Sequence, residues 1–197
     1  MKRALTILPL LAAVLAGCSG DDRVDSSAAA GASGCPAALK AEWQRLANRV
    51  DASVYCPSWM PSPLDADLGG QWNSGGPIVD RDRSYLVGFL WHEASSGDVH
   101  VNFRGYPGKT SMPRCLERKR SVACFSDARG TRRIAGKNVT VYTVSRDADQ
   151  WHVTYLWRRG GTLYTASEHV APPLTFRKVL SNLDRIVGGL ELIRPTA

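Results

Sequence analysis

The chain has 197 residues, a formal charge of +7 and a hydrophobic fraction of 44%. That is enough chain for one domain with a sizeable core. It shows no internal repeat and only one low-complexity linker, so neither a repeat array nor a second folded domain is expected.

Lys2 and Arg3 open the chain, and Ala4 to Leu15 follow as an apolar run broken only by Thr6 and Pro9. A run this short, with these flanks, reads as an export signal rather than a membrane span. It closes on Leu15-Ala16-Gly17-Cys18, which resembles the lipobox of bacterial lipoproteins. The resemblance implies cleavage before Cys18, a diacylglyceryl group on its sulfur and further acylation by palmitate-like chains. Two or more chains are what stable anchoring requires. The expected address is the extracytoplasmic face of the cell membrane.

Taking the 17 signal residues from 197 leaves 180, and taking Lys2 and Arg3 from +7 leaves +5. Ser19 to Gly34 is rich in Ser, Ala, Gly and Asp without periodicity and reads as a flexible tether. The expected organisation is a signal at 1–17, a lipidated cysteine and tether at 18–34, and one domain at 35–197. Export disfavours nucleic acid as a partner. It favours the membrane, reached through the lipid, and an envelope polymer, lipid or protein.

Five cysteines are an odd number for an exported chain; setting Cys18 aside leaves Cys35, Cys56, Cys115 and Cys124. An oxidising compartment pairs them, and four cysteines allow three pairings. The most local arrangement joins Cys35 to Cys56 and Cys115 to Cys124. No Cys-x-x-Cys occurs and the spacings match no zinc pattern, so no metal and no cofactor is expected.

Pro36 suits a helix start, and Leu39, Trp43, Leu46 and Val50 follow on one helical face. Residues 57–77 are rich in Pro, Gly and Asp, a loop whose large anchors are Trp59 and Trp72. Those two tryptophans are the candidate lining of a ligand groove. Tyr85 to Trp91 is apolar on both faces and predicts a central strand. Val99, Val101 and Phe103 alternate with His100, Asn102 and Arg104, predicting the second strand of an antiparallel hairpin.

Arg114, Arg118, Lys119 and Arg120 lie close together around the predicted loop from Cys115 to Cys124, and Arg129, Arg132, Arg133 and Lys137 follow, a candidate anion patch that also suits a plain solvated surface. Arg132 to Ala135 and Val139 to Ser145 predict a further hairpin. Trp151, Val153, Tyr155 and Trp157 alternate with His152, Thr154, Leu156 and Arg158, and Gly160-Gly161 turns the chain into a return strand at 162–167. On this pattern Trp151 and Trp157 are core residues. Phe176, Val179, Leu180, Leu183, Ile186, Val187 and Leu190 predict a last helix, stopped by Gly188-Gly189. Residues 191–194 suit a sheet edge. The predicted fold class is α+β: one antiparallel sheet of about five to six strands, with an N-terminal and a C-terminal helix on one face.

Trp157, Gly160-Gly161, Tyr164, Leu183, Ile186 and Leu190 together resemble a pattern in small extracytoplasmic lipoprotein domains of unknown function, over residues 139–190. The resemblance implies no catalytic residues. Among the four histidines, His92 and His100 face across the predicted hairpin, with Glu93 or Asp98 as possible partners for metal or acid–base chemistry. The same residues also suit a solvated sheet face. His152 and His169 have no matching partner in the sequence. No nucleophile elbow or phosphate loop is present, so the chain reads as a non-catalytic binding or interaction domain.

Overall fold

The computed structural model describes residues 34–64, 77–93, 97–146 and 151–196, with the backbone alone at 92, 93, 97 and 98. Cys18, Trp72 and nearly all of the expected tether lie outside the described residues.

Helix α1 (Ala37–Val50) forms on the predicted stripe and buries Leu39, Trp43, Leu46, Ala47 and Val50. It ends at Asp51, whose left-handed backbone (φ 47°) closes the last turn. The chain then runs through β1 (Val54–Cys56), β2 (Ile78–Val79), β3 (Tyr85–Glu93), β4 (Gly97–Tyr106), β5 (Arg114–Glu117), β6 (Arg120–Ala123) and β7 (Phe125–Ile134). It continues through β8 (Lys137–Ser145), β9 (His152–Arg159), β10 (Thr162–His169), α2 (Phe176–Gly188) and β11 (Glu191–Ile193). Thr175 caps α2 by accepting from the Lys178 N–H at 3.2 Å.

Seven strands pair in the order β2-β3-β4-β10-β9-β8-β7. Every pairing within this sheet is antiparallel. This corrects the expected five to six strands. Two small sheets, β1-β11 and β5-β6, complete the set. β3 is not central, as its apolar sequence suggested: its outer neighbour is only the two-residue β2. Tyr85, Val87 and Phe89 are buried, while Leu86 and Leu90 on its other face are half-buried. The predicted 115–124 loop is also a hairpin, turning at Arg118 and Lys119, both with positive φ.

Both helices pack on one face of the large sheet. A single apolar cluster joins Trp43, Leu46, Leu183 and Ile186 to Phe89, Val101, Phe103, Val141, Val153, Tyr155, Trp157 and Tyr164. Trp43 is fully buried and meets Phe103 edge-on, with centroids 6.1 Å apart. Gly105 is required by close approach: an added Cβ would stand 2.2 Å from the buried ring of Tyr85, its partner on β3. On the opposite face, Tyr106, Cys124, Phe125, Leu156 and Leu163 form a smaller cluster, with Cys115 of β5 packed against it. β10 is therefore buried on both faces.

Cys35 bonds Cys56 and Cys115 bonds Cys124, the local arrangement. The first ties the start of α1 to β1, and β1 pairs with β11 through Cys56 and Glu191. Glu191 reinforces the junction, accepting from the Cys35 N–H at 2.6 Å and facing Lys40 at 3.3 Å. The Cys35 N–H, together with Lys40, holds the Glu191 carboxyl below its ordinary pKa. Opening the Cys35–Cys56 link releases a 21-residue separation. The double variant Cys35→Ser/Cys56→Ser is expected to lose about 3 kcal/mol of stability in urea unfolding. A loss below about 1 kcal/mol would show that β1-β11 pairing already fixes this junction.

Candidate functional site

A concavity with apolar character lies where the β7-β8 end of the sheet meets the first turns of α2. It has a volume of about 660 Å³. Val141, Val144, Leu180, Trp151 and Phe176 give it apolar lining, and Asp127, Arg129, Arg132 and Thr143 polar lining. The two aromatic rings lie nearly parallel, 10° apart, with centroids separated by 6.3 Å. Trp151 is 53% exposed and Phe176 37%. Trp151 is thus no core residue, as the alternation with Val153 and Trp157 had suggested. β9 begins one residue after it, and its indole N–H instead donates to the Thr143 carbonyl at 3.1 Å. Trp157 is buried as expected.

The polar part of the lining is braced. Arg129 faces Asp127 at 2.7 Å and donates to the Thr143 hydroxyl at 3.3 Å. The Thr143 hydroxyl also donates to Asp127, and this bond, with Arg129, lowers the Asp127 pKa. Arg132 reaches across to Asp184 of α2 at 2.5 Å, and Asp184 accepts from the Tyr155 hydroxyl at 2.8 Å. Burial, and then the acceptor Asp184, push the Tyr155 pKa well above its ordinary value. Of these pairs, Arg132–Asp184 joins β7 to α2, and the contacts among Asp127, Arg129 and Thr143 join β7 to β8.

β7 is the terminal strand of the sheet, yet it is a poor template for another strand. Its pairing with β8 shifts register between Ala128 and Thr131, where Gly130 has φ 114°. The bulge and the arginines blunt the edge.

Of the two tryptophans of the expected groove, Trp72 lies outside the described residues. Trp59 is half-buried, packs against the core, and carries the Arg185 guanidinium 4.0 Å from its ring centroid. Arg118, Lys119 and Arg120 stand exposed at the tip of the β5-β6 hairpin. Arg114 crosses to β6 instead, its Nε donating to the Ser121 hydroxyl at 3.1 Å.

The histidines are arranged differently from the sequence reading. In the β3-β4 register His100 faces Leu90, whereas His92 faces Asp98. His152 and His169, unmatched in the sequence, pair directly across β9 and β10. His100 of β4 joins them: its Nε2 lies 2.6 Å from that of His152, and its ring centroid is 4.9 Å from that of His169. The short contact needs one ring to donate and the other to accept. Among the described residues, no group of three or more His, Cys, Asp or Glu is placed to hold a metal ion. Among them, too, no helix is long and apolar enough to cross a membrane. No protein-family model, curated protein or solved structure matches this chain.

Proposed function

We propose that this chain is an exported, lipid-anchored binding domain that takes a small amphipathic molecule in the groove beside Trp151 and Phe176. The observation that carries the reading is this pair of exposed, parallel aromatic rings lining, with Val141 and Leu180, a space of about 660 Å³. That volume suits a drug-sized ligand, and preformed apolar concavities with a few polar groups are typical of small-molecule sites. An apolar body would lie on Val141 and Leu180, and a polar head would meet Arg129 and Arg132. The blunted edge of β7 argues against an added peptide strand.

Anchoring rests on Leu15-Ala16-Gly17-Cys18, and the two disulfides accord with an oxidising compartment. Cys18→Ser is expected to move the protein from the membrane to the soluble fraction. The binding reading is tested with the amphipathic dye 1-anilinonaphthalene-8-sulfonate. Wild-type protein should show a saturable rise in dye fluorescence, and Trp151→Ala should lose about tenfold in affinity, equivalent to about 1.4 kcal/mol. Because Trp151 is half exposed, the variant should unfold at nearly the wild-type urea concentration. Unchanged dye affinity in a folded Trp151→Ala would remove the groove from the account.

A further inference from the structure

A second concavity, sharing no lining residue with the aromatic groove, lies where five segments meet. They are the end of α1, the turn before β3, the end of β4, the β9-β10 turn and the tail after β11. It encloses about 380 Å³ and is lined in part by Arg83, Arg159 and Arg194, with Asp51 as its one acidic residue. Arg83 faces Asp51 at 3.2 Å. Arg159 and Arg194 have no acidic partner among the described residues, which leaves the lining with an excess of two positive charges.

Arg159 also lines an adjoining groove of about 440 Å³, together with Lys137, Arg158 and Asn138. Lys137 is half-buried, donates to the Val187 carbonyl at 3.1 Å and lies 5.4 Å from the Tyr55 ring centroid. Its pKa is lowered by burial and then by the charge of Arg159. Lys137 and Arg159 are thus held close enough to repel each other, with Lys137 half-buried and Arg159 exposed. A cleft with one sign of charge concentrates counter-ions more strongly than a convex surface does. Arg83, Arg159 and Arg194 are exposed, as Arg118, Lys119 and Arg120 are at the hairpin tip, but they line a concavity.

We infer that the paired concavities around Arg159 form a binding site for a small anion carrying at least two charges, of the phosphate or carboxylate class. Arg159 and Arg194 offer planar forks that match the paired oxygens of such groups, and Lys137 adds a point charge on the far side of Arg159.

The test is calorimetric titration of the folded domain with inorganic pyrophosphate and, separately, with malonate. The expected result is saturable one-to-one binding of at least one of them. Arg159→Gln should weaken it about tenfold or more, and Arg194→Gln should weaken it as well. Arg118→Gln/Arg120→Gln at the hairpin tip should leave it unchanged. Preference between the two anions assigns phosphate or carboxylate. No saturable binding of either at millimolar concentration overturns the proposal. So does binding that survives Arg159→Gln or falls with the hairpin-tip variant.

Discussion

Glu168→Gln is expected to stabilise the protein by about 3 kcal/mol at pH 8 and to have almost no effect near pH 4.5. Glu168 is completely buried on β10, beneath α2, where its Oε1 accepts from Asn182 Nδ2 at 2.8 Å. Burial raises its pKa from 4.5 to about 7, against the smaller opposing effects of Asn182 and Lys178. The folded protein therefore holds this proton up to about pH 7, whereas the unfolded chain releases it near 4.5. Between those values the folded state binds more protons, so stability falls as pH rises through that window and stays low above it. Gln preserves the acceptor for Asn182 and never ionises. Urea unfolding at pH 4.5, 6 and 8 should show the two proteins diverging with pH. Parallel curves would show that Glu168 is ionised without cost in the fold.

The second large effect is expected from Trp43→Ala, a loss of about 3–5 kcal/mol. Trp43 is 0% exposed and stands between α1 and the sheet, edge-on to Phe103. Phe103 in turn meets Phe89 edge-on at 6.0 Å, so the cavity would open at the junction of α1, β4 and β3. A domain with about 5–15 kcal/mol of total stability would be close to unfolding. Urea unfolding again gives the measurement. A loss below about 1.5 kcal/mol would mean that α1 can shift to fill the gap.

Both helices were legible because Leu39, Trp43, Leu46 and Val50, and Val179, Leu183, Ile186 and Val187, recur at helical spacing. They are also the residues that became buried. β4 and β8 were legible because alternation coincides with one buried and one wetter face. The strands that were read only in part, or not at all, lacked that signal. β7 was read only from Arg132 on; its middle, Asp127 to Arg133, is exposed throughout, so no apolar alternation marks the rest. The β5-β6 turn uses Arg118 and Lys119 at positive φ, without the Gly or Asn that usually announces such a turn. Residues 191–194 suited a sheet edge, but β1, the three-residue strand that β11 pairs with, is buried throughout and far away in the chain, so no alternation marks it.

The candidate site was less legible for a related reason. Trp151 continues the parity of β9, but the ladder stops at His152, so the ring turns toward Phe176 instead of the core. The histidine cluster depends on β4 lying beside β10, a pairing between strands far apart in the chain. Charge counting found the arginines of the hairpin but not those around Arg159, because Arg83, Arg159 and Arg194 converge only in three dimensions.

The central claim, that the groove beside Trp151 is the ligand site, is tested most directly by methyl NMR of the folded domain during the dye titration. Shifts confined to the methyl groups of Val141, Val144 and Leu180, with those of Leu39 and Leu46 on α1 unmoved, are the predicted result. Shifts elsewhere in the domain, or none in the groove at saturating dye, would contradict it.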